Sequence, residues 1–464
     1  MKPLNVLLLV IDSLRKRSLA GAAQGGPRTP FFDRLARESI CFTNAYATEC
    51  WTLPSHLSMF TGLLPSQHGA HFGTMGYEGE APTIAEWLRG AGYSTEVLTR
   101  NTVFDGRLRG TTRGFERSTL TQVSLPTWSP AAWFIALGKP RLRRHIRRLG
   151  FFSNEQQESL AFLRSYARSL FPADHLLLDA LLDRLTQLRE GPKPGFLFAN
   201  LYDVHAPYPP TEDNIIWPVR SVEDLLENIF AFQVLPKISS HAYLKDGFSL
   251  PARAREALLR RYHRAIELTD QKLAAFFAEA DSRGLLDDTL VIVTSDHGEA
   301  FGEHDLYLHD GSVYDVHLSV PLWVRHPRLC ARIVEDVVSL GDLFGLMQSA
   351  ASGDARHTIL DSAYRAEHPI AVAEHFHYRR LSGISPRFQQ NIVTAFSHEA
   401  KAIVREEGVF LYDRIRDSLE KTPHPSSVVE FDAVVRAAAK ELPAAVREHL
   451  ARWCARTAPA CASI

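Results

Sequence analysis

The run NVLLLVID at positions 5–12 decides the fold. Apolar residues fill it without the alternation of a half-exposed strand, and Asp12 ends it. It is too short to span a bilayer, and no small-residue cleavage site follows it. A strand buried on both faces of a parallel sheet fits these residues. Similar apolar runs recur at Ser94–Leu98, Gly195–Leu201, Thr289–Thr294 and Val320–Val324. Helix-period segments lie among them at Thr29–Ser39, Pro82–Ala91, Asn154–Arg189 (with a break near Pro172) and Ala252–Arg283. Thr29-Pro30 supplies a cap followed by proline in the first turn. This alternation predicts an α/β fold: a doubly wound, mainly parallel sheet flanked by helices. The main domain is expected over 1–366, with an insertion at about 121–152 where the rhythm breaks. Positions 367–464 carry shorter apolar runs at 370–373 and 409–412 and a helical tail from Val428, and read as a smaller C-terminal α+β subdomain.

Composition narrows the function. Among 464 residues, 52 Lys and Arg nearly balance 53 Asp and Glu, which argues against a nucleic-acid partner. Five scattered cysteines do not make a disulfide framework and favour a reducing compartment, with a Cys454–Cys461 pair left open. With no apolar stretch of spanning length, a cytoplasmic protein is expected. The apolar stretch 131–138 followed by KPRLRRHIRR (139–148) offers one peripheral contact for an anionic membrane, or else a solvated helix face.

Three of the strand-like runs end in residues of one chemical kind. The first runs into Asp12, the third into Tyr202-Asp203-Val204-His205, and the fourth into Ser295-Asp296-His297-Gly298. Open parallel sheets bind ligands outside the carboxyl ends of their strands. Two carboxylates and an imidazole from Asp12, Asp296 and His297 suit Zn²⁺ or Mn²⁺ better than an all-oxygen Ca²⁺ site. The stretch CWTLPSHLSMFTGLLPSQHG (50–69) adds a nucleophile. Pro54 and Gly62 bracket a short helix, which puts Thr52 at its N-terminus, where unpaired N–H groups favour an anionic ester. As a fourth ligand, the Thr52 hydroxyl would have its pKa lowered by the metal.

The chain resembles the sulfatase branch of the alkaline phosphatase superfamily. The matching pieces are VIDSLR (10–15), TPFFDRLARES (29–39), TLPSHLSMFTGLLPSQHG (52–69), AGYST (91–95), YDVHAPY (202–208), TSDHGEAFGEH (294–304) and HDGSVYDVHLSVPLWV (309–324). They stand in family order over roughly residues 1–330. The resemblance implies one or two metal ions, a covalent intermediate on residue 52, and attack on a phosphate, phosphonate or sulfate ester. It also points to His205 and His309, the latter the twelfth residue beyond His297, as groups that bind the phosphoryl oxygens, protonate the leaving group or hold a second metal. Arg100 aligns with a family lysine and, with Asn101 and His56, is a candidate for substrate binding.

The departures from the family pattern set the expected chemistry. Sulfatases oxidise a Cys or Ser in C/S-x-P-S/A-R to formylglycine, whereas position 52 is threonine and His56 replaces the arginine. Ser13 stands where many sulfatases carry a second aspartate. Threonine cannot form the hydrated aldehyde through which those enzymes expel sulfate. The expectation is therefore a metal-dependent, phosphodiesterase-like hydrolase of small anionic phosphate or phosphonate esters, acting through a covalent Thr52 intermediate. The alternatives are a sulfuric ester hydrolase, a phosphoryl transferase, and an inactive ligand-binding member of the fold.

Overall fold

A computed structural model describes residues 3–19, 21, 25–71, 74–106, 108–120, 174–206, 208, 248–309, 311–377, 385, 389–405 and 408–423. The 121–152 insertion, the basic run at 139–148, the first half of the helix expected from 154, the helical tail and the Cys454–Cys461 pair lie outside them.

The strands are β1 (Asn5–Ile11), β2 (Ile40–Tyr46), β3 (Ser94–Thr99), β4 (Arg117–Leu120), β5 (Gly195–Leu201), β6 (Thr289–Thr294), β7 (Ala300–Phe301), β8 (Tyr307–Leu308), β9 (Ser319–Arg325), β10 (Arg332–Ser339), β11 (Ala371–His375), β12 (Ile392–Phe396), β13 (Ala400–Arg405) and β14 (Gly408–Asp413). Eight of them form one sheet in the order β10-β2-β9-β6-β1-β5-β3-β4. At its centre β1 pairs in parallel with both β5 and β6, with Leu8 beside Phe198 and Ile292. These three strands are buried on both faces, as unbroken apolar runs require. β9 alone runs against its neighbours, antiparallel to β6 and β2. Helices Pro30–Glu38, Asp174–Glu190 and Ala252–Ser282 pack on one face through Leu35, Leu181, Tyr262 and Phe277. Helices Thr52–Thr61, Ile84–Gly90 and Leu343–Ser352 cover the other through Leu57, Leu88 and Leu346.

The expected C-terminal α+β unit is, over its described residues, a four-stranded antiparallel sheet in the order β11-β12-β13-β14. One of its faces joins the main core through Ala371, Ile392, Phe396 and Ile403. The other gathers Val372, Val393, Ala402 and Leu411 into a small cluster of its own. The short helix Ser362–Glu367 precedes it. No described helix is long and apolar enough to cross a membrane.

Candidate active site

The strand order brings the carboxyl ends of β6, β1, β5 and β3 side by side, so four segments distant in sequence meet at one sheet edge. Asp12 follows β1, and Asp296 and His297 follow β6. All three are fully buried, and one ligand-type atom from each lies within 4.8 Å of the others. His297 Nε2 is 3.3 Å from Asp296 Oδ2 and 3.8 Å from Asp12 Oδ1.

Surrounding groups fix how these three point. Asp296 Oδ1 accepts hydrogen bonds from the backbone N–H of Ser13 (3.1 Å) and of His297 (3.0 Å), while Oδ2 accepts none. The carbonyl of Gly298 can only accept, so the contact at 2.9 Å puts the proton on His297 Nδ1 and leaves the Nε2 lone pair facing the carboxylates. Asp12 accepts from Ser13 Oγ at 3.0 Å and from Asn101 Nδ2 at 2.9 Å. Ser13 makes its contacts with φ at +64°, a left-handed backbone unusual for a side-chain-bearing residue.

Burial and charge set the electrostatics of the cluster. Burial first, and then the Asp296 charge, push the Asp12 carboxyl up to about 6. Burial pushes Asp296 up to about 7 against the pull of its backbone donors. Burial and His309 push the His297 imidazole down to about 3. Two anions and a neutral imidazole converge with an unpartnered Asp296 Oδ2 among them, and a divalent cation answers all three shifts at once. Two carboxylates and an imidazole are a donor set that fits a divalent metal ion.

Thr52 opens the helix Thr52–Thr61, and Gly62 ends it in a left-handed cap at φ 72°. The threonine hydroxyl lies 3.5 Å from His297 Nε2, at the positive end of the helix. Ser55 Oγ donates to the carbonyl of Asp296 at 2.6 Å and binds the first turn to the cluster. His205, after β5, donates from Nδ1 to the Ala206 carbonyl at 2.7 Å and stacks on Tyr202, with ring centres 4.4 Å apart. His309 lies 4.4 Å from the ring of His297 and 5.0 Å from that of His205. Its Nδ1 meets Glu299 Oε1 at 3.0 Å, and Tyr208 donates its hydroxyl to the same carboxylate at 2.9 Å. Burial holds His309 well below the usual imidazole range and lifts Glu299 to about 7.

The remaining candidates stand differently from the sequence reading. His56 donates from Nδ1 to the Thr52 carbonyl at 2.8 Å and is ringed by Phe60, Phe104 and Phe198, so it braces the helix from within. Burial pushes it down to about 3, so it stays neutral. Arg100, expected to clamp an oxyanion, pairs through Nη1 with Asp203 at 2.5 Å and Asp174 at 3.6 Å. Those carboxylates are buried, and with Lys272, 2.9 Å from Asp203, the arginine neutralises them. Asn101 spends its Nδ2 on Asp12 and its Oδ1 on the N–H of Val103, so it holds a carboxylate in place and caps a turn. The sequence reading passed over Tyr202. Glu299 is not among its candidate residues either, although it stands two positions beyond the Asp-His pair.

The sulfatase family model matches residues 4–353. The ulvan-active sulfatase of Formosa agariphila is 23% identical over 327 residues, 70% of this chain and 56% of that protein. The arylsulfatase of Clostridium perfringens is 24% identical over 371 residues, 74% of this chain and 73% of its own. Among solved structures, the phosphonate monoester hydrolase of Agrobacterium radiobacter superposes with a TM-score of 0.63 at 20% identity, over 97% of this chain and 96% of that one. This chain therefore spans little more than half the length of the Formosa protein. With the family model matching most of its length, the chain belongs to the sulfatase family.

Proposed function

We propose that this chain is a metal-dependent hydrolase of phosphate or phosphonate esters that acts through a covalent intermediate on Thr52. One observation carries the reading: a threonine hydroxyl stands at a helix N-terminus 3.5 Å from the imidazole of an Asp-Asp-His cluster. A secondary hydroxyl is a competent nucleophile for phosphorus but cannot become the aldehyde of the formylglycine enzymes. A divalent cation held by Asp12, Asp296 and His297 would lower the pKa of that hydroxyl and polarise the ester.

The chain's own groups supply the rest. Thr52 Oγ1 gives its proton to solvent and bonds to phosphorus, while the bond from phosphorus to the leaving oxygen breaks in line. The helix N-terminus and the imidazoles of His205 and His309 meet the charge that develops on the non-bridging oxygens. The leaving alkoxide takes up a proton from solvent, and the contact between Glu299 and Nδ1 holds the His309 ring in place. Water then attacks the phosphothreonine, releasing the acid and restoring the hydroxyl. The threonine at position 52 supports phosphorus chemistry, while the sulfatases among the sequence relatives support the second reading, a sulfuric ester hydrolase.

The deciding experiment is turnover of aryl phosphodiester, phosphonate monoester, phosphomonoester and sulfate by protein loaded with Zn²⁺ or Mn²⁺. The reading predicts that a phosphorus ester is cleaved fastest. Activity on the sulfate alone would overturn it.

A further inference from the structure

A second group of ligand-type side chains lies outside the Asp-Asp-His cluster and shares no residue with it. Glu49 and Cys50 lie between β2 and the helix that begins at Thr52, and His375 ends β11. All three are buried, with exposures of 0%, 0% and 2%. One donor atom from each lies within 4.8 Å of the other two. His375 Nδ1 is 3.0 Å from Glu49 Oε1 and 3.6 Å from Cys50 Sγ.

The geometry separates two explanations. A cysteine–histidine–carboxylate relay uses both ring nitrogens, one towards the thiol and the other towards the carboxylate that orients the ring. Here the sulfur and the carboxylate meet the same nitrogen, Nδ1, so three donors converge on one space. With metal–sulfur bonds of about 2.3 Å and metal–nitrogen bonds of about 2.0 Å, a tetrahedral ion separates S and N by roughly 3.5 Å. The 3.6 Å between Cys50 Sγ and His375 Nδ1 meets that requirement. Glu49 is also preset as a ligand: its Oε1 accepts the N–H of Cys50 at 2.7 Å and its Oε2 that of Phe376 at 3.4 Å. Among the described residues no lysine or arginine forms an ion pair with it.

We propose that Glu49, Cys50 and His375 form a second metal site, for a borderline or thiophilic divalent cation of the Zn²⁺ class. Thiolate, imidazole and carboxylate together favour Zn²⁺ or Co²⁺ and disfavour Mg²⁺ and Ca²⁺. Binding releases the thiol proton to solvent and forms the metal–sulfur bond without redox change. The ligands lie 325 positions apart, so the ion joins the C-terminal sheet to the segment that carries Thr52. The same junction already holds hydrogen bonds from the N–H of Glu374 to the Thr48 carbonyl at 2.9 Å and from Ser66 Oγ to Glu374 at 2.9 Å. The site does not depend on which ester the enzyme cleaves.

Cobalt loading of the full chain tests the site, because a cobalt–thiolate bond gives a near-ultraviolet charge-transfer absorption that an Asp-Asp-His site cannot give. The wild type is expected to show this absorption and to retain two equivalents of metal after desalting. Cys50→Ser is expected to lose the absorption and one equivalent. His297→Ala is expected to lose one equivalent and keep the absorption, which separates this site from the catalytic one. Absence of the absorption in folded, cobalt-treated wild type overturns the proposal, as does its survival in Cys50→Ser. Should Cys50→Ser fail to fold, His375→Ala reads the same loss, and the wild-type stoichiometry decides without any variant.

Discussion

At the residue scale the site rests on directions as much as identities. Replacing Thr52 by alanine removes the proposed nucleophile while Asp12, Asp296 and His297 keep their places. Thr52→Ala is therefore expected to lose turnover by at least about a thousandfold while still binding catalytic metal, measured by steady-state rates beside metal analysis. Normal turnover would show that Thr52 is not the nucleophile. Asn101 acts one step further out. Without its donor to Asp12 Oδ2, Asn101→Ala should weaken metal affinity by about 10–100-fold, read by chelator competition, while activity recovers at saturating metal. The site's residue types were legible in the sequence because Asp12, Asp296 and His297 stand directly after apolar runs, where a parallel sheet collects its ligands. The roles of Arg100 and Asn101 were not legible. Both follow β3, and the turn there sends the arginine to Asp203 and Asp174 and the asparagine back to Asp12, a matter of side-chain direction rather than spacing.

At the scale of elements, legibility follows burial. β1, β5 and β6 span the residues read from sequence, because strands covered on both faces are continuously apolar. β2 carries Thr43 and Asn44 in its middle, and β10, at the sheet edge, exposes Arg332, Ile333, Glu335 and Asp336; neither produced a run to find. The apolar run at 320–324 revealed β9 but not its antiparallel direction, since burial of a strand does not depend on its polarity. The loop after β6 makes its own demand. A Cβ on Gly298 would stand 2.1 Å from the Val316 carbonyl oxygen and 3.0 Å from Arg15 Cβ. Gly298→Ala must therefore push the backbone next to His297. The expected cost is about 1–3 kcal/mol in denaturant unfolding, with weaker metal binding alongside it.

At the scale of the molecule, buried charge links the parts and sets how stability answers to pH. Lys401 on β13 is fully buried and lies 2.6 Å from both Asp315 and Glu420, so Lys401→Met takes the cation from buried Glu420, leaves Asp315 with Arg414 at 3.5 Å, and should cost about 3–5 kcal/mol, seen as a lowered Tm. The carboxylates of the Asp-Asp-His cluster give the sharper prediction. In the folded, metal-free chain Asp12 rises to about 6 and Asp296 to about 7, both from an ordinary value of 3.8. A raised carboxyl favours its protonated form on folding, so the fold binds protons that the unfolded chain has released. Their contribution is therefore fully present below the unfolded value and is lost as pH rises through about 6 to 7. A bound cation reverses the trend, because it needs both carboxylates ionised. The rise in Tm on adding Zn²⁺ or Mn²⁺ should thus grow from about pH 5.5 to about pH 8, flattening above the Asp296 transition. Other buried acids, among them Glu299 and Glu420, each lifted to about 7, slope the metal-free curve the same way. The decisive quantity is accordingly the difference between metal-loaded and metal-free protein, measured in wild type and in Asp296→Asn. A pH-independent difference in the wild type, or an unchanged one in the variant, would show that these carboxylates are not the ligands.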